Sequence, residues 1–268
     1  MAGLILEPLR SLLSGSHARA FGESSGRGRR PGPGGLEVVD LGAGTGANLR
    51  WLAPRLPDPD RQHWTLVDHD PGLLARGPVQ ATAVRADVTD LARVLAELGG
   101  ADLVTAAALL DLLDPAQVTA IIEAVTQAGI PALFSLSVTG AVSLDPPDPH
   151  DRRLAEAFDE HQRRDGRLGP DAGPFAARLL RERGWSVLEI PTPWVLNSAR
   201  DGELIDAWLE GRVEAAGQQQ AELAPAAADW LTRRRARPDV AMPGAGRSGL
   251  QPRLEITVGH LDLLTRPN

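Results

Sequence analysis

From residue 36 onward the apolar positions alternate between two rhythms. Short runs rich in leucine and β-branched residues, at about 36–41, 63–67, 83–88, 99–108, 131–138 and 185–190, read as buried strands. Between them, apolar residues at helical spacing predict helices at about 46–56, from Pro71, from Leu91, at 115–129 and at 171–183. Asp70-Pro71 and the box Asp114-Pro115-Ala116-Gln117 supply helix starts. Strand, helix, strand repeated in this way predicts an α/β domain with a parallel sheet and right-handed crossovers. A short amphipathic helix is expected over residues 1–20, with Leu4, Leu6, Leu9, Leu12 and Leu13 available to one side. Leu254–Leu261 reads as the last strand.

The rhythm breaks twice. Residues 140–170 are too long for a strand-to-helix connection and contain a helix at about 151–165, on which Leu154, Phe158 and His161 share a face. Residues 191–252 hold two more helices. One, at about 201–216, carries Leu204, Ile205, Trp208, Leu209 and Val213 on one stripe; the other, at about 225–237, carries Ala227, Trp230 and Leu231. Trp208 and Trp230 fit packing within these helices, and Trp194 in Thr192-Pro193-Trp194 is more open. Strands five and six run parallel to strand one, so both insertions leave the same sheet edge. They predict a helical cap there.

At that edge lies Val38-Val39-Asp40-Leu41-Gly42-Ala43-Gly44-Thr45-Gly46-Ala47-Asn48: a buried strand, a turn with glycine at alternate positions, then a helix. Such a turn lets the backbone approach a nucleotide or nucleoside, because no Cβ intervenes. Gly42, Gly44 and Ala47 satisfy the dinucleotide fingerprint G-x-G-x-x-G/A, a weak match by itself. A glycine turn without a ligand is the bland alternative, but three glycines weaken the backbone and need a reason. Asp40, two residues before the first glycine, stands where a dinucleotide strand usually carries another apolar residue. The whole stretch resembles the first motif of class I S-adenosylmethionine (SAM)-dependent methyltransferases, which Gly46 fits better than the dinucleotide pattern.

Asp68 ends strand two, 22 residues after Gly46, where a carboxylate can accept both hydroxyls of a ribose. Asp87 ends a weaker third strand, and a turn-forming aspartate is its competing reading. The resemblance implies that Asp40, with the Gly42–Gly46 loop, holds the methionine part of SAM, Asp68 the ribose, and Asp87 and Val88 the adenine. The cofactor set expected in full is Asp40, Gly42, Ala43, Gly44, Gly46, Asn48, Asp68, His69, Asp87, Val88 and Ala106. The resemblance covers about residues 36–138 and, more loosely, the last strand. It implies a Rossmann-like sheet of seven strands, the last antiparallel, with helices on both faces. The family's Asn/Asp-Pro-Pro-aromatic tetrad is missing after strand four, which counts against methylation of base nitrogens. His161 is the candidate general base, against the commoner role of a packed histidine.

Composition narrows the chemistry. Among 268 residues there is no cysteine, so thiolate nucleophiles, disulfides and Cys-based zinc sites are excluded, and no metal site is expected. All 28 basic residues are arginine, which removes lysine Schiff-base chemistry. A net charge of −7 argues against a nucleic-acid partner. No apolar run approaches a membrane span, and the start lacks a basic segment typical of export. A cytoplasmic monomer or homodimer is expected. Residues 22–35 are a Gly/Arg/Ser/Pro linker, so the expected organisation is 1–35 as helix plus flexible linker and 36–268 as the methyltransferase domain.

The function expected is SAM-dependent methyl transfer to a small-molecule acceptor through oxygen. An NAD(P)-dependent oxidoreductase is the first alternative, although the chain has neither tyrosine nor lysine for a common proton-donor motif. A non-catalytic SAM- or nucleoside-binding protein is the second.

Overall fold

The computed structural model describes residues 3–19, 35–235 and 253–268, with side chains of the first helix described over 4–13. Most of the predicted linker, and residues 236–252 of the second insertion, lie outside the described residues. In chain order the strands are β1 (Leu36–Leu41), β2 (Gln62–Asp68), β3 (Thr82–Arg85), β4 (Leu103–Ala107), β5 (Ala132–Asp145), β6 (Trp185–Pro191), β7 (Trp194–Asn197) and β8 (Glu255–Pro267). The helices are α1 (Gly3–Arg19), α2 (Ala47–Leu52), α3 (Pro71–Leu74), α4 (Leu91–Leu98), α5 (Pro115–Ala128), α6 (Asp151–Gln162), α7 (Ala172–Glu182), α8 (Gly202–Gln219) and α9 (Ala224–Arg235).

The sheet order is β3-β2-β1-β4-β5-β8-β6, with β7 paired to β8. Strands β1 to β5 run parallel, and β8 is antiparallel to β5, β6 and β7. This is the Rossmann-like sheet that the resemblance implies, with one strand more than the seven expected. The extra strand has a simple cause. At Thr192-Pro193 the run of β6 is interrupted, since proline has no N–H to give to a ladder, and pairing with β8 resumes at Trp194.

Successive side chains of a strand point to opposite faces, and the core divides accordingly. Val39, Leu41, Val67, Val104 and Phe134 pack under α4, α5 and α7. Leu36, Val38, Leu66, Leu103, Leu133 and Leu264 face the other way, against α2 and against Ile5, Leu9 and Leu13 of α1. Asp40 follows Leu36 and Val38 on this second face, and Thr105 lies beside it in register.

β5 and β8 run past the sheet. Their upper halves, Val142–Asp145 against Glu255–Val258, form a two-stranded ribbon that β7 joins. The sequence pattern stops short of this because Thr139, Gly140 and Ser143 read as loop. A third apolar cluster sits on the ribbon: Leu144, Leu154, Leu196, Ile205, Leu209 and Trp230 bring α6, α8 and α9 together. Leu204, placed on the apolar stripe of α8 by its spacing, is instead 48% exposed, because α6 and α9 cover only the Ile205–Leu209 side.

Candidate functional site

The glycine loop leaves β1 with Gly42, Gly44 and Gly46 all at positive φ (60°, 53° and 79°). At Gly42 an added Cβ would strike Leu109, and at Gly46 it would strike Pro78 and Leu66. At Gly44 it would meet nothing within 4 Å. The loop is therefore packed at its two ends and open in the middle, which is the shape a bound ligand requires.

Two carboxylates flank the opening. Asp40 is fully buried, and its Oδ1 accepts from Asn48 Nδ2 of α2 (2.7 Å) and from the Thr105 hydroxyl of β4 (2.7 Å). Its Oδ2 is buried with no hydrogen-bond partner among the described residues. Burial outweighs the two hydrogen bonds and pushes the carboxyl up to about 6. Asp68, at the carboxyl end of β2, accepts the Gly44 N–H on Oδ2 (2.8 Å) and the Asp70 N–H on Oδ1 (2.9 Å). Each oxygen keeps a lone pair beyond the one it gives to the backbone.

The remaining predicted residues are placed unevenly. His69 is largely exposed, with Nδ1 3.4 Å from Asp68. Asp87 is exposed and caps the short turn Val88–Asp90: its carboxylate accepts the Thr89 N–H and hydroxyl, and these bonds hold it below the usual carboxylate range. Val88 is half-buried at the start of that turn. Ala106 packs into the cluster under α4 and α5, so only its backbone is on offer to a ligand beside Asp40. Asp40, Asn48, Gly44 and Asp68 are thus brought together, and Thr105 joins them unforeseen. Its register opposite Asp40 was the only signal.

His161 belongs to a second locality. Leu109 lies over Gly42, and the turn that follows it (Leu110–Leu112) carries Asp111 into the wall of a cavity of about 380 Å³. Phe158, His161, Arg167 and Glu214 also line it, from α6, α8 and the segment after α6. Asp111 is 7% exposed, its Oδ1 is unpartnered, and burial raises its pKa. His161 Nδ1 is also buried and unpartnered. Burial, then the nearby Arg164 and Arg167, keep this imidazole below its usual pKa and hence neutral at pH 7. Asp111 was missed because a lone acid in Leu109-Leu110-Asp111-Leu112-Leu113 gives no sign of which way it points.

A further cavity of about 780 Å³ lies at the opposite end of the sheet, among α1, the start of β6 and the end of β8. None of the residues above lines it. Among the described residues, no group of three or more His, Asp or Glu side chains is placed to hold a metal ion. No helix among them is long and apolar enough to cross a membrane.

Residues 38–129, from the glycine strand through α5, match the family model of a methyltransferase domain. By this match residues 38–129 are a methyltransferase domain. Solved structures similar to this methyltransferase are distant. The YcgJ protein from Bacillus subtilis is 13% identical over 96% of this chain and 98% of its own, with a TM-score of 0.46. A precorrin-6y C5,15-methyltransferase from Geobacter metallireducens is 10% identical over 96% and 86%, with a TM-score of 0.45. An arsenic(III) S-adenosylmethionine methyltransferase from Chlamydomonas reinhardtii is 17% identical over 93% and 72%, with a TM-score of 0.40. No curated protein sequence matches the chain. The assignment rests on the matched domain, the sheet order and the glycine loop.

The methyltransferase domain implies SAM as methyl donor, and the residues fit it. SAM carries an ammonium, a sulfonium and a ribose diol. Opposite these the site sets a buried unpartnered carboxylate oxygen, an open glycine and a carboxylate with lone pairs to spare.

Proposed function

We propose that this methyltransferase acts on a small hydroxyl-bearing molecule held in the cavity under the cap. The observation that supports this reading is that Asp111 and His161, each with a buried side-chain atom that has no hydrogen-bond partner among the described residues, both line that cavity. A buried polar group without a partner costs stability, so a ligand that satisfies both explains why they are there. The volume, about 380 Å³, suits a small molecule and not a polymer. The cavity also begins two residues from Leu109, the side chain that lies over Gly42.

SAM, when bound, supplies a methyl group already activated on a sulfonium. The protein's part is therefore placement and proton handling. Asp40 and the glycine loop would hold the amino-acid end, Asp68 the ribose, and the exposed Asp87 with the Val88 N–H the adenine. His161 in its Nε2–H tautomer presents the Nδ1 lone pair, and Asp111 can orient the acceptor's hydroxyl. His161 would take the hydroxyl proton as the acceptor oxygen receives the methyl group. Oxygen is favoured over sulfur because a hydroxyl needs a base at neutral pH, whereas a thiol needs one far less. Such a protein works in the cytoplasm, without nucleic-acid or membrane partners.

The test begins with calorimetry of S-adenosylhomocysteine, NAD⁺ and NADPH on wild type and Asp68→Ala. Binding of the homocysteine compound alone, weakened at least about tenfold in Asp68→Ala, is the expected result. A nicotinamide nucleotide bound in its place would overturn the donor assignment. Release of S-adenosylhomocysteine from SAM is then followed with a panel of phenols, alcohols, amines and thiols. Turnover confined to amines or thiols would sink the oxygen assignment. His161→Asn should lower turnover of the active phenol or alcohol about 10²-fold while leaving S-adenosylhomocysteine binding unchanged.

A further inference from the structure

Among the described residues the cap buries two arginines that the mechanism above does not use, Arg212 and Arg234, and Arg212 has no ion-pair partner. Arg212 of α8 is 6% exposed, and its guanidinium is sandwiched between two aromatic rings: Phe158 of α6 and Trp208 one turn earlier, each 4.2 Å from its carbon. Its Nε is buried with no hydrogen-bond partner, and no carboxylate lies within 4 Å of it among the described residues. Neighbouring cap arginines are treated differently. Arg233 pairs with Asp148, Arg234 with Asp151 and the Pro146 carbonyl, and Arg235 with Glu210. Asp159 is near enough to act on Arg212 through space, yet its own Oδ1 is buried and unpartnered.

Stacking holds a guanidinium in place but leaves its in-plane N–H donors unanswered, and those donors match a carboxylate or phosphate in planar, forked geometry. Position links this group to the cavity. Arg212 is not itself among the residues that line the cavity, but two of its neighbours are: Phe158, which stacks on it, and Ala215, one turn along α8.

We infer that the acceptor is a hydroxy acid, whose anionic group docks on Arg212 while its hydroxyl faces Asp111 and His161. This rests on reading the cap cavity as the acceptor site. Beside Arg167 the cavity wall carries two acidic residues, Asp111 and Glu214, which disfavour a ligand that is anionic throughout, so the charge belongs to one end of the molecule. Phe158 lines the cavity, and its ring favours an aromatic or otherwise planar acid.

The experiment uses the full chain saturated with S-adenosylhomocysteine, whose own binding is measured first. Three probes are then compared by calorimetry: 4-hydroxybenzoate, its neutral isostere 4-hydroxybenzamide, and phenyl phosphate. Wild type should bind 4-hydroxybenzoate or phenyl phosphate at least about tenfold tighter than the amide, and the tighter of the two says whether carboxylate or phosphate is the natural group. In Arg212→Gln the preference should shrink to within about twofold, and Arg212→Lys should keep part of it. Equal binding of acid and amide by wild type, binding of no probe, or a preference that survives in Arg212→Gln would overturn the inference. The wild-type comparison needs no variant to fold. Failure to bind S-adenosylhomocysteine would instead bring down the donor assignment.

A purely structural arginine gives another signature. Arg212→Met replaces an unpaired buried charge with an apolar chain of similar length. On our inference this raises the melting temperature while abolishing the acid preference. A lowered melting temperature with the preference intact would show that the arginine only glues the cap.

Discussion

The carboxyl of Asp40 lies where water does not reach it, and burial lifts it from the ordinary carboxylate value to about 6. That gap corresponds to on the order of 3 kcal/mol in favour of the protonated form. An acid with a raised folded pKa burdens the fold once it ionises. The penalty is absent below the unfolded value, grows between about 4 and 6, and is complete above 6. Asp40→Asn should therefore be more stabilising, or less destabilising, at pH 7.5 than at pH 4.5. Melting temperatures at the two values check this, and a pH-independent difference would mean that Asp40 is hydrated. The glycines separate in the same way. At Gly46 an alanine Cβ meets Pro78 and Leu66, so Gly46→Ala should lower stability; at Gly44 only the positive φ is strained, about 1 kcal/mol, so Gly44→Ala should chiefly reduce S-adenosylhomocysteine affinity. Thermal melting beside calorimetry distinguishes the two. His161 adds an acid limb to the rate: turnover should fall only below its ordinary value near 6.5, because burial and two arginines keep it neutral to lower pH.

Among the elements, those buried on both faces were the easiest to read. β1, β2 and β4 are near-continuous apolar runs, as parallel central strands are, and their ends fixed Asp40 and Asp68 at one sheet edge. The upper ribbon of β5 and β8 escaped notice, since one face meets the cap and the other meets solvent; its polar alternation imitates loop until the partner strand is known. Arg212 was hidden for a related reason. It shares a helical stripe with Trp208 in sequence, but Phe158, its other ring, comes from a different helix 54 residues earlier. Cap integrity depends on similar long-range pairing. Asp151 at the start of α6 accepts from Arg234 (2.6 Å) and from Trp230 Nε1 (2.7 Å), both of α9. Asp151→Ala leaves a buried guanidinium without its counter-ion, a loss of about 3–5 kcal/mol. Limited proteolysis should then cut α9 first, with S-adenosylhomocysteine still bound.

At the scale of the whole molecule, α1 closes the sheet face that α2 leaves bare. Leu9 is fully buried there among residues of β1, β5 and β8. Leu9→Ala should cost about 2–5 kcal/mol in chemical denaturation, although the helix lies far from Gly44 in sequence. The cap is attached differently. α8 and α9 leave the chain after Asn197 and return before Glu255, and these two residues are paired neighbours on antiparallel strands. The excursion therefore begins and ends at one point, as the tip of a hairpin does, and a two-residue Asn-Gly turn could span the same gap. Whatever is spliced in at that point leaves the register of β7 and β8 intact. On the function proposed above, a lineage could exchange one acceptor-binding module for another there, by insertion and deletion alone, without disturbing the sheet that carries the glycine loop.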